Sequence, residues 1–209
     1  MAELSTRAKQ LIPKARIMGF GEWQGVSAEA ITILQAADDQ KTYLSDAELQ
    51  AVTAATAQST NAAQFDMAQS NPTLEAAEIN PAAIVKRLRD QAADIVDEAR
   101  AGVLQQFPGI LEPGGGLYPP LRADACWRDF WHFLRCITYG VAAQQPGYTS
   151  PDGLVAMEQL YEEIQVPLPA MVAGLKGLKK ASLSRLPEPQ QSAIAPYFDR
   201  LIDRLSNFL

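Results

Sequence analysis

The stretch Pro113-Gly114-Gly115-Gly116-Leu117-Tyr118-Pro119-Pro120-Leu121-Arg122-Ala123-Asp124-Ala125-Cys126-Trp127-Arg128-Asp129-Phe130-Trp131-His132-Phe133-Leu134-Arg135-Cys136-Ile137-Thr138-Tyr139 decides the fold. It reads as a glycine turn, a proline-stiffened approach and a long aromatic helix. From Ala123 to Val141 there is no proline and no glycine before Gly140, and apolar residues recur at helical spacing. Asp124 is placed to act as an acid at the helix N-terminus, favoured by the dipole. On that reading Cys126 falls in the first turn, where the positive helix end lowers a thiol pKa and sharpens it as a nucleophile. Asp129, three residues on, shares the face of Cys126, while Arg128 points elsewhere.

These groups suit a particular kind of ligand. A thiol offers a covalent anchor, Arg122 and Arg128 grip carboxylates through paired hydrogen bonds, and Asp129 accepts from N–H groups. A linear tetrapyrrole has the matching parts: two propionates, pyrrole N–H groups and a carbon that a thiolate adds to. A plainer account stands beside it. A lone cysteine on an aromatic helix is commonly a small buried apolar residue, and an Arg-Asp pair a solvated one. On spacing alone the plainer account is the better.

The wider sequence narrows the field. The chain has 209 residues, 47% of them hydrophobic, enough to bury a substantial core. Its formal net charge of −6 argues against nucleic acid as the main partner. The two cysteines stand ten residues apart on one helix and cannot pair locally, which fits a reducing compartment. No stretch has the length and apolarity of a membrane span. There is no Ser-His-Asp set, no metal-ligand cluster by sequence spacing and one histidine, so no catalysis is expected. Three glycines in a row suggest a nucleotide loop only weakly, because no P-loop lysine or preceding strand accompanies them.

The pattern also resembles one family closely. The run Pro113-Gly114-Gly115, Tyr118, Arg122, Ala125-Cys126, Arg128-Asp129, Leu134-Arg135 and Thr138-Tyr139 falls without a gap on the chromophore region of phycobiliproteins, the allophycocyanin and phycocyanin subunits of the phycobilisome. That resemblance implies a thioether from Cys126 to phycocyanobilin or a related linear tetrapyrrole. It implies propionate pairing by Arg128 and Arg122, N–H binding by Asp129, and further contacts from Tyr118, Tyr139 and His132. His132 with Phe133 stands where the family has a tyrosine pair, and Trp127 and Trp131 are further departures. The fold implied is all-α, a globin-like helical bundle with a projecting N-terminal helix pair.

Taken in order, residues 1–26 read as an added tail, basic and aromatic, flexible until it finds an acidic surface. Residues 27–209 read as the phycobiliprotein-like domain. Residues 27–57 are two helices, the first capped by Ser27 and the second opened by a Ser45/Glu48 capping box. The resemblance implies that this pair contacts a second subunit or another copy of the chain, with Asp38 and Arg135 meeting across the contact. Residues 58–80 read as a family-atypical insertion. Residues 81–107 read as one helix opened by Pro81, with Gln106-Phe107-Pro108 as its stop. Further helices are expected over Leu154–Ile164, Ala170–Ser182 and Ile194–Leu209, with Pro187–Pro189 as a hinge and the Lys176, Lys179, Lys180 cluster answering a helix C-terminus.

The function the resemblance implies is light harvesting, with excitation energy passed to neighbouring subunits and linker proteins as further partners. It implies a peripheral place on the cytoplasmic (stromal) face of a thylakoid membrane, in a cyanobacterium or plastid. Two rivals remain open at this point. One is a pigment-free paralogue acting as a scaffold, assembly or regulatory protein of the phycobilisome. The other is a globin-like sensor holding haem through His132.

Overall fold

In a computed structural model of the chain the described residues are 4–21, 23–64 and 79–208, with side chains left out over 57–64. Within them nine helices run in the order α1 (Thr6–Leu11), α2 (Ala28–Gln40), α3 (Asp46–Gln64), α4 (Pro81–Asp90), α5 (Ala92–Gln106), α6 (Pro120–Ala142), α7 (Pro151–Glu163), α8 (Leu168–Leu183) and α9 (Glu188–Ser206). The extended pairing among the described residues is a single antiparallel bridge, Met18 to Thr149. The all-α expectation therefore holds.

Local chemistry explains most helix starts. Ser27 accepts from the Ala30 amide at 3.1 Å. Ser45 and Glu48 form the expected reciprocal box, with the Ser45 amide donating to Glu48 Oε2 at 2.8 Å. Proline stands in the first turn of α4, α6, α7, α8 and α9. There its missing N–H costs nothing and its fixed φ favours the helix.

The structure corrects three expectations here, the first two by that rule. Helix α6 begins at Pro120, three residues before the expected start. Pro187–Pro189 is not a hinge: Pro187 is the N-cap of α9 and Pro189 lies in its first turn. The expected helix over 81–107 is divided at Gln91, whose side-chain oxygen accepts from Arg185 Nε at 2.9 Å. No proline or glycine marks that division in the sequence.

Helix α6 is the axis of the core. Phe130, Phe133, Leu134, Ile137 and Tyr139 on it are wholly buried. Arg185, in the turn that follows α8, ties that end of the helix to α5 through Glu98 at 2.6 Å. In α8, Gly174 lets the Phe130 ring lie against the helix backbone; a β-carbon at 174 would stand inside that ring. The glycine run 114–116 divides its labour. Gly114 takes φ +89, and Gly115 passes so close to the Gly109 and Ile110 carbonyls that no side chain fits. It is a tight turn before α6, not a phosphate cradle.

The helix pair α2–α3 is anchored at its turn. The Tyr139 hydroxyl donates to the Thr42 carbonyl, and Arg89 of α4 reaches both the Leu44 carbonyl at 2.8 Å and Asp46 at 2.6 Å. Asp38 of α2 lies 3.9 Å from Arg135 of α6 within this one chain. The two residues expected at a subunit contact therefore already stand side by side within one chain, where α2 packs against α6.

The expected flexible tail is corrected as well. Residues 4–21 lie along the bundle. Ser5 donates to Glu163 of α7 at 2.6 Å, Ile17 and Met18 are buried, and backbone bonds join Arg16 to Gly153, Gly19 to Tyr148 and Ser150 to Ile17. Gly153 permits the approach, since a β-carbon there would collide with the Arg16 carbonyl oxygen. Gly153→Ala is expected to loosen this strap while leaving the bundle folded. Trypsin would then cut at Arg16 at least about tenfold faster, following the open population; an unchanged cleavage rate with unchanged circular dichroism would contradict the contact. Of the 58–80 stretch, residues 65–78 lie outside the described residues.

Candidate functional site

The residues singled out in the sequence fall into three settings along α6. The first faces inward, toward α7. Cys126 is 4% exposed and Asp129 is partly buried beside it. The Tyr161 hydroxyl of α7 donates to Asp129 Oδ2 at 2.9 Å. Burial raises the Asp129 carboxyl to about 6, against the hydrogen bond from Tyr161 and the charge of Arg128, both of which lower it. The Cys126 thiol is pushed up to about 12, by burial first and then by the Asp129 charge.

This reverses the expected activation of the thiol. With α6 starting at Pro120, Cys126 stands in the second turn, beyond the unsatisfied N–H groups that would favour a thiolate. Asp124, four residues into the helix rather than at its mouth, serves no capping role.

The second setting faces outward. Arg128, Asp124, Leu121, Trp127 and Trp131 of α6, with Arg100 of α5, line a surface cleft of about 440 Å³. The Arg100 guanidinium lies 5.3 Å from the Trp127 ring centre, and Trp127 meets Phe130 edge-on at 5.4 Å. Arg128 and Trp131 are exposed. The sequence reading that Asp129 shares the face of Cys126 while Arg128 points elsewhere is what the structure shows.

The third setting lies further along the helix. His132 Nδ1 is 2.6 Å from Arg135 Nη2 and 3.6 Å from Cys136 Sγ. Burial, then the Arg135 charge, lowers the His132 imidazole to about 4. Tyr139 stands about 20 Å along the helix from Cys126 at 1.5 Å per residue, with its hydroxyl committed to the α2–α3 turn. Arg122 donates to the carbonyls of Ile164, at 2.8 Å, and of Gln165, so it closes the C-terminal end of α7. Tyr118 is exposed in the turn before α6. The structure therefore brings Cys126 and Asp129 together, leaves Arg128 at the adjacent cleft, and sets Arg122, His132 and Tyr139 to other contacts. The haem reading gains no support from the setting of His132. Both cysteines are free and buried.

Sequence reasoning missed two residues. Tyr161 lies on the apolar face of an amphipathic helix, and only the packing of α7 on α6 pairs it with Asp129. Arg100 is one of several charged residues on α5, and nothing in its neighbours marks it out.

A comparison with known families now bears on this arrangement. Residues 32–205 match the family model described as "Phycobilisome protein". The chain belongs to the phycobilisome protein family. The match runs from α2 through α9 and so takes in the three settings just described. Among curated proteins it is similar to the allophycocyanin subunit alpha-B of a Nostoc species, 38% identical over 123 residues, which are 59% of this chain and 76% of that protein. It is 38% identical to the allophycocyanin alpha-B chain of a Synechococcus species over 57% of this chain and 73% of that one. The allophycocyanin alpha-B chain of Porphyra purpurea is 32% identical over 57% of this chain and 74% of its own.

Phycobilisome proteins are globin-like and all-α, they harvest light, and they are not enzymes. They assemble with other phycobiliprotein subunits. Among the described residues no helix is long and apolar enough to cross a membrane.

Proposed function

We propose that this chain carries one linear tetrapyrrole, phycocyanobilin or a close relative, as a thioether at Cys126, and passes excitation energy to neighbouring subunits at the thylakoid. The observation that supports this best is the pairing of Cys126 with a partly buried Asp129 on one face of α6, beside a cleft that holds two arginines. Arg128 and Arg100 offer two cations for two propionates, and Trp127 and Trp131 offer flat apolar walls. Asp129, with its carboxyl raised to about 6 and therefore largely ionised at pH 7–8, exchanges the Tyr161 hydroxyl for pyrrole N–H donors. The tetrapyrrole supplies the visible absorption; the protein supplies orientation, rigidity and charge. Residues 27–209 form the pigment-bearing domain, with 1–26 strapped to it. The helix pair of 27–57, with Asp38 and Arg135, and linker proteins serve assembly.

The buried thiol adds a condition. At about 12, roughly one thiol in ten thousand is ionised at pH 8. Attachment therefore depends on a partner that opens the α6–α7 contact, the task of an attaching enzyme. Co-expression with a phycocyanobilin pathway is expected to give a faint zinc-fluorescent band on a denaturing gel, and a strong one when bilin-attaching enzymes are added. Cys126→Ala should abolish both. A protein that stays dark with those enzymes present would overturn the pigment reading and leave the scaffold role.

A further inference from the structure

Further along α6 from the cleft, three side chains from two helices converge: Asp38 of α2 with His132 and Cys136 of α6. One donor atom from each lies within 4.8 Å of the others. His132 and Cys136 are four residues apart and so stand on one face of the helix. Cys136 Sγ is 3.6 Å from His132 Nδ1 and 3.9 Å from Asp38 Oδ1. A tetrahedral zinc site, with bonds of about 2.0–2.3 Å, needs its ligands roughly 3.3–3.8 Å apart. The three donors stand close to that spacing already.

Two further features favour a cation here. The cluster has an approach from solvent: a cleft of about 200 Å³ bordered by Arg16, Met18, Phe20, Gln35, Asp38 and Asp39 ends on Asp38. Close to the cluster, the Tyr43 hydroxyl and Arg135 Nε are buried without a hydrogen-bond partner, and Tyr43 feels the charges of Arg135 and Cys136.

We propose that Asp38, His132 and Cys136 form a binding site for one zinc-like divalent cation, in which the Arg135 guanidinium stands as a monovalent substitute when no metal is bound. Arg135 Nη2 is 2.6 Å from His132 Nδ1 and 3.9 Å from Asp38 Oδ1, where a metal would meet the same two ligands. Metal binding displaces the guanidinium from His132 and releases the Cys136 proton to solvent, so that a thiolate, a neutral imidazole and a carboxylate complete the shell. The ion ties α2 to α6 and so fixes the helix pair on the bundle. This site is separate from the pigment site and does not depend on it.

Titration of the purified full chain with Co(II) tests it, because a cobalt–thiolate bond adds near-ultraviolet charge-transfer absorption. One Co(II) per chain is expected, with that absorption retained in Cys126→Ser, lost in Cys136→Ser and displaced by Zn(II). His132→Gln and Asp38→Asn are expected to weaken binding at least about tenfold. Arg135→Gln, which removes the competing guanidinium, is expected to tighten it. Circular dichroism reports whether each variant folds, and the partly exposed His132 and Asp38 keep the test decisive if Cys136→Ser does not. The proposal is overturned if neither the wild type nor Arg135→Gln shows the absorption at saturating cobalt, if it persists in Cys136→Ser, or if Arg135→Gln binds more weakly.

Discussion

Gly174→Ala is expected to destabilise the protein by about 2–3 kcal/mol, even though alanine is the better helix former by about 1 kcal/mol. The reason is the fully buried Phe130 ring, which occupies the space a β-carbon at 174 would take. Neither partner can retreat cheaply: Phe130 is held between Trp127 and Phe133, with ring centres 5.4 and 6.4 Å away, and Gly174 sits in the middle of α8. Shrinking the ring should relieve the clash. Phe130→Leu alone leaves a cavity and lowers stability, yet in the Gly174→Ala background it should recover at least about 1 kcal/mol, a coupling expected only of residues in contact. Urea unfolding of the four proteins measures it. Additive effects would show that the two residues do not meet.

Asp129→Asn is the second large effect, and it acts in opposite directions on stability and on function. The carboxyl is raised from its ordinary 3.8 to about 6, chiefly by burial. Between those values the folded protein holds a proton that the unfolded chain has lost. The stability contributed by this group is complete below about pH 4, declines as the pH rises toward 6, and is absent above. Asparagine keeps an acceptor for Tyr161 and removes the titration. The variant should match the wild type near pH 4 and exceed it at pH 7–8 by on the order of 2 kcal/mol. On the proposed function the same change removes the carboxylate that meets the pyrrole N–H groups, so pigmented Asp129→Asn should lose most of its red absorption and fluorescence. Thermal unfolding from pH 4 to pH 8, followed by spectra of the pigmented variant, separates the two effects. A variant less stable than the wild type at pH 8 would contradict the burial of the charge.

The contrast between these two cases shows where sequence reading succeeds and where it stops. The aromatic run from Phe130 to Phe133 declared a buried helix, and the Ser45/Glu48 box declared the start of α3, because helical period and capping are local chemistry. The start of α6 was equally local, since Pro120 marks a first helical position. Read instead as a stiff approach, Pro119-Pro120 places Cys126 in the first turn and predicts a lowered thiol pKa, the opposite of the shift its burial gives. The division at Gln91 had no such marker, because it coincides with a hydrogen bond from Arg185, 94 residues away. The docking of residues 4–21 runs largely through backbone groups of Arg16, Gly19 and Ser150, which carry no side-chain signature. In the candidate site, residue types and face were legible: Cys126 and Asp129 inward, Arg128 outward. The partners were not, because Tyr161, Arg100 and the closure of Asp38 on Arg135 depend on how α7, α5 and α2 pack against α6.

The central claim is a single tetrapyrrole bonded to Cys126, and the most direct measurement is the mass of the protein and its peptides. The full chain, co-expressed with a phycocyanobilin pathway and bilin-attaching enzymes, should gain the mass of one tetrapyrrole, carried by the peptide that contains Cys126. An unmodified mass under those conditions, or an adduct found on Cys136 instead, would contradict it.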